Sequence, residues 1–163
     1  MKKEILELIL NCDYKFVFQA INSNPVKHLR MQSHSVPNES GIYFVFSNPR
    51  LNLPSLDMIF NLDGAPMELL YFGKAGGVTS KGRILKQGLN GRLNNVISDS
   101  SRNLIDIKRG SYWQIVMDEH GMENLFIYCV LNSEPQKIEE RIYQYLDENK
   151  IQYPLMNKKR GRK

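Results

Sequence analysis

Apolar residues first recur at helical spacing. Ile5, Leu6, Ile9 and Leu10, with Glu4 and Glu7 beside them, predict an amphipathic helix over residues 3–11. Phe16, Val17, Phe18 and Ile21 predict a second short helix over 14–22, and residues 23–40, with Pro25 and Pro37 among Asn and Ser, read as loop. Three runs are apolar and rich in β-branched and aromatic residues: Gly41–Phe46, Leu69–Phe72 and Leu125–Leu131. Each predicts a buried strand. Pro49, Pro54, Asp63-Gly64 and Pro66 punctuate an ordered insertion at 47–68, and Gly73-Lys74-Ala75-Gly76-Gly77 predicts a turn. Leu89, Leu93, Val96 and Ile97 fall on one helical face. Ser111 is placed to cap a further helix closed by Gly121. Ser133-Glu134-Pro135-Gln136 has the form of a capping box, ahead of Ile138, Ile142, Tyr143 and Leu146. The expected fold class is α+β, a small, mostly antiparallel three-stranded sheet flanked by helices.

Composition narrows this little. A chain of 163 residues suits one core. Hydrophobic residues at 42% and aromatics at 10% argue against disorder. Two cysteines, Cys12 and Cys129, are too few for a disulfide scaffold and suggest a cytoplasmic setting. Glu4 and Glu7 interrupt what would be a signal-peptide core, Asn11 does not suit a lipoprotein site at Cys12, and no apolar run is long enough to span a membrane.

Charge changes the picture more. Five of the net +5 charges lie in a basic tail, residues 158–163, leaving residues 1–157 neutral. That neutrality hides two opposed segments: residues 69–113 carry +6 and residues 114–150 carry −5. The basic segment follows a strand through a turn into a helix, as a phosphate-binding face would.

Within these segments, Gly41-Ile42-Tyr43 and Tyr71-Phe72-Gly73 resemble the paired triads of the GIY-YIG nuclease family, with Phe in place of the second Ile. Lys74 follows the second triad. Leu89-Asn90-Gly91-Arg92-Leu93 is similar to the family's Arg-bearing helix, Ile138-Glu139-Glu140-Arg141-Ile142-Tyr143 to its Glu-bearing helix, and Pro154-Leu155-Met156-Asn157 to its late Asn segment. The resemblance covers residues 39–157. It implies a GIY-YIG-like nuclease domain there, a helical N-terminal extension at 1–38 packed on the core, and the tail at 158–163.

The resemblance also implies a metal-dependent endonuclease acting on duplex or branched DNA, alone, as a homodimer or in a larger complex. Tyr43 would be general base with Tyr71 beside it. Lys74 and Arg92 would bind phosphate, and Asn157 would orient local groups. Glu139 would hold one Mg²⁺ or Mn²⁺. Glu140 remains a rival for the metal and Arg83 a rival for the phosphate. The spacings between Tyr43 and Tyr71 and between Tyr71 and Arg92 are long for the family and lean toward its restriction-like branch. Val96 stands where many relatives place an auxiliary His or Tyr, which keeps open a non-catalytic nucleic-acid-binding module on the same fold. His28, His34 and His120 have no metal-ligand spacing, and the 73–77 turn lacks the P-loop pattern.

Overall fold

The computed structural model describes residues 2–21, 23–52, 55–79, 81–99 and 104–157. The elements run α1 (Lys2–Leu10), β1 (Tyr14–Gln19), α2 (Pro25–Ser33), β2 (Gly41–Ser47), β3 (Ile59–Leu62), β4 (Ala65–Ala75), α3 (Leu89–Leu93), β5 (Val96–Asp99), β6 (Leu104–Lys108), α4 (Arg109–His120), β7 (Asn124–Leu131) and α5 (Pro135–Glu148). The class is α+β, as expected, but the sheet has five strands rather than three, ordered β1-β7-β2-β4-β3 and antiparallel throughout. The three expected strands form its centre. Among the described residues, no helix is long and apolar enough to cross a membrane.

The two added strands come from segments with other expectations. Residues 14–19 form a strand paired with β7, not a helix. Tyr14, Phe16, Val17 and Phe18 are aromatic or β-branched, and they pack better on a pleated surface than on a helix. The N-terminal segment is therefore not a purely helical extension, because β1 is an edge strand of the main sheet. β3 lies in the insertion, after a 3₁₀ turn at Leu56–Met58. Bidentate pairing of Arg50 with the buried Glu68 of β4 ties the preceding loop to the sheet, the closest contact being 2.6 Å. Residues 25–33, expected as loop, form α2, whose N-cap Asn24 accepts from the Lys27 amide with Pro25 in the first turn.

Strand β2 is buried along its whole length because both sheet faces are covered. Its side chains alternate between two cores. Tyr43 and Val45 join Leu70, Leu89, Leu93, Trp113, Val116 and Met117 under α2, α3 and α4. Ile42, Phe44 and Phe46 join Ile5, Ile9, Ile138, Ile142 and Leu146 under α1 and α5.

Three helix expectations are also corrected. The helix from Leu89 stops at Leu93, and Val96 and Ile97 belong to β5 in a hairpin with β6. α4 begins at Arg109 rather than at a Ser111 cap, though Gly121 closes it in the left-handed conformation as expected. The N-cap of α5 is Glu134, with no side-chain cap bond, so Ser133 and Gln136 form no capping box; Pro135 does occupy the first turn. The basic tail lies outside the described residues.

Candidate active site

The site forms where β4 outruns β3. β3 pairs only with residues 65–68, so the outer edge of β4 is open beyond them. The C-terminal segment closes part of it. The Met156 amide donates to the Leu70 carbonyl at 2.8 Å. Asn157 then takes the place of a partner strand: its Oδ1 accepts from the Phe72 amide and its Nδ2 donates to the Phe72 carbonyl, each at 3.0 Å. The same Nδ2 donates to the Tyr143 hydroxyl at 3.0 Å. Asn157 is buried and acts as a clasp between β4, α5 and the C-terminal segment, which is an orienting role.

Alternation along the strand places the rest. Because the Phe72 amide points outward, so does that of Lys74, on the side where the Glu139 carboxylate of α5 lies close enough for Lys74 to act on it electrostatically. Burial raises the Glu139 pKa above its ordinary value, while the Lys74 ammonium, the Lys74 amide and Arg92 pull it down and Glu140 pushes it up. Glu140 itself faces solvent. The structure thus separates the two rival carboxylates and sets Glu139 beside the cations.

Tyr43 pairs with Gly73 across the β2–β4 ladder, and Tyr71 lies two residues back on the same face. The two rings are diagonal neighbours with centroids 5.6 Å apart. The Tyr71 ring lies over Gly73, where a Cβ would come within 2.6 Å of it and push the ring aside. Tyr43 has no solvent exposure, and its hydroxyl makes no hydrogen bond of acceptable geometry. Burial drives its pKa well above the usual phenol value, although Arg109 and Arg92 pull it down. Tyr43 is thus enclosed in the core, set back from solvent behind Tyr71. Tyr71, half-buried, is the phenol with access.

Arg92 occupies the last turn of α3, and both ends of that helix are held. Asn38 Oδ1 accepts from the amides of Gly88 and Gly91, each at 2.9 Å. At the other end, Arg109 Nε donates to the Arg92 carbonyl at 3.0 Å. The Arg109 guanidinium also lies 6.0 Å from the centroid of the Tyr43 ring. Arg109 is buried and, among the described residues, makes no salt bridge. Its role was not legible in the sequence, because the β5–β6 hairpin returns it across 17 residues to Arg92. Val96 is an exposed strand residue, so it does not occupy a position one helical turn beyond Arg92.

Lys74, Arg83, Lys86 and Arg92 line one groove of about 390 Å³ together with Gly76, Ile84, Leu85 and Gln87. No acidic residue lines it, and among the described residues none of the four cations is in a salt bridge. Arg83 and Arg92 therefore share a groove rather than compete for it. A larger groove of about 700 Å³ runs between α1 and α5, but Glu4, Glu7 and Glu134 accompany Lys137 and Arg141 there. Lys137 pairs with Glu134, so that groove has no excess charge to draw a phosphate.

Among the described residues, no three His, Cys, Asp or Glu side chains cluster as a metal cage. One half-buried carboxylate beside an open groove is a donor set that fits a hydrated Mg²⁺ or Mn²⁺ keeping most of its waters, not an ion enclosed by protein. In comparisons with known proteins, the chain matches no protein-family model, no curated protein and no solved structure.

Proposed function

We propose that this protein is a divalent-metal-dependent endonuclease that hydrolyses DNA phosphodiester bonds with a GIY-YIG type of site. The observation that carries the reading is one juxtaposition: a groove lined by four cations, and Arg92 on its wall acting electrostatically on both the Glu139 carboxylate and Tyr43, whose ring packs against Tyr71.

In this reading the groove takes the DNA backbone. Arg92 presents a planar fork to the scissile phosphate, and Lys74 adds a point charge, so both relieve charge that builds on the phosphoryl oxygens. Tyr71, acting as its phenolate, holds the attacking water and takes its proton, and the leaving oxygen departs with a proton from solvent. Tyr43 and Arg109 fix Tyr71 and Arg92 from behind. Glu139 would hold the metal ion, which supplies Lewis-acid stabilisation at the phosphate. Asn157 keeps Phe72, and with it the Tyr71–Lys74 edge, in register.

The test is cleavage of duplex and branched DNA with Mg²⁺ or Mn²⁺ by the wild type, Arg92→Ala and Glu139→Ala. Loss of at least about 100-fold in both variants supports the assignment. Cleavage unchanged by both refutes it.

The enclosure of Tyr43 favours a second reading, a non-catalytic nucleic-acid-binding module on the same fold. Its signature is salt-sensitive DNA binding without hydrolysis under any divalent metal.

A further inference from the structure

The segment between Gly77 and Gln87 has a structure of its own. The Thr79 amide donates to the Arg83 carbonyl at 2.8 Å, the Gly82 amide to the Thr79 carbonyl at 2.9 Å, and the Leu85 amide to the Gly77 carbonyl at 3.0 Å. The Arg83 amide donates to Thr79 Oγ1 at 3.0 Å, and Val78 and Ile84 form an antiparallel bridge. Among the described residues, these bonds tie 77–79 to 82–85 as the two arms of a small finger at the mouth of the basic groove.

The finger presents an apolar ledge. Ile84 is 74% exposed and Val78 40% exposed. Being directly opposite in a bridge, they project to the same side. A lone exposed isoleucine means little. This one lines the cationic groove, is flanked by Arg83 and Lys86, and is fixed in place by backbone hydrogen bonds. A fixed β-branched ledge set among phosphate-binding cations suits one kind of surface, the stacked bases of a duplex whose backbone the cations hold.

We propose that the finger is a DNA wedge. Ile84, supported by Val78, inserts against a base step while Lys74, Arg83, Lys86 and Arg92 hold the neighbouring phosphates. The wedge unstacks that step and delivers the adjoining phosphodiester to the groove. This rests on the DNA-binding reading above and names how the duplex is engaged.

The experiment measures binding to a short mixed-sequence duplex carrying 2-aminopurine, in chelator so that no strand is cut. It compares the wild type, Ile84→Ala, Ile84→Phe and Arg83→Ala over a salt series. The exposure of Ile84 means its replacement should leave the melting temperature unchanged, which is checked first. Ile84→Ala is expected to weaken binding about tenfold and abolish the 2-aminopurine brightening without altering the salt slope. Ile84→Phe restores both. Arg83→Ala reduces the salt slope by about 1 and keeps the brightening. If wild type and Arg83→Ala show salt-dependent binding but Ile84→Ala matches the wild type, the wedge is refuted and the DNA reading stands. If the wild type shows no salt-dependent binding, the DNA reading falls and the wedge with it.

Discussion

Arg109 donates through Nε to the main-chain carbonyl of Arg92 at 3.0 Å, so one buried arginine fixes the helix end that presents another. Arg109→Ala removes a hydrogen bond from a charged donor, worth about 1.5–3 kcal/mol, and frees the end of α3. Thermal melts should show a loss of that order. Single-turnover cleavage should fall at least about tenfold through misplacement of Arg92. Arg109→Lys keeps the charge over Tyr43 but not the fork, and should fall between the two.

The two tyrosines should separate cleanly on removal of their hydroxyls. Tyr43 has a buried hydroxyl with no partner of good geometry, so Tyr43→Phe removes a desolvated group and should leave stability unchanged or raise it by about 1 kcal/mol. Tyr71→Phe should lower cleavage by about 100-fold or more, far beyond any effect of Tyr43→Phe. The reverse order in single-turnover rates would return the base role to Tyr43.

Glu139 should make stability depend on pH in a defined direction. Burial lifts its folded pKa above the unfolded value. Below both values the carboxyl is neutral in either state and costs nothing. As pH rises past the unfolded value, the unfolded chain releases its proton first, and stability falls until the folded pKa is passed. Glu139→Gln does not titrate. Its melting temperature should therefore exceed that of the wild type at neutral pH, with the difference vanishing in acid. Melts in chelator from pH 3 to pH 8, a window spanning the carboxyl range, test this.

Asn157→Ala should be among the most damaging single changes. It deletes three hydrogen bonds and leaves both main-chain groups of Phe72 without their side-chain partner. At about 1 kcal/mol each, the loss in urea denaturation should be about 3 kcal/mol. Asn157→Asp should also destabilise, because it replaces the donor facing the Phe72 carbonyl with an acceptor.

The central strands were legible because Gly41–Phe46, Leu69–Phe72 and Leu125–Leu131 are continuous apolar runs, as strands buried on both faces require. The misread elements have physical reasons. Leu89, Leu93 and Ile97 all turn toward the same core, so their spacing imitates one helix although a break at Asn94-Asn95 divides a helix from a strand. α2 carried a local signal, Asn24 followed by Pro25, outweighed by the polar residues around it. At the site, Tyr71, Lys74, Arg92 and Glu139 were readable as an ordered pattern of residue types. Burial of Tyr43 and recruitment of Arg109 were not, because both depend on what the β5–β6 hairpin and α4 bring over the sheet.

The Asn157 clasp has a consequence apart from chemistry. An open strand edge is a template on which a second chain can grow, and β4 beyond β3 would offer one beside its buried aromatic residues. By satisfying Phe72 through a side chain and Leu70 through the Met156 amide, the C-terminal segment blocks templated strand addition without extending the sheet. Lengthening the sheet by a sixth strand would have brought main chain across the Lys74 amide as well. A side-chain clasp thus covers this part of the edge and leaves the strand uncovered at Lys74, beside Glu139.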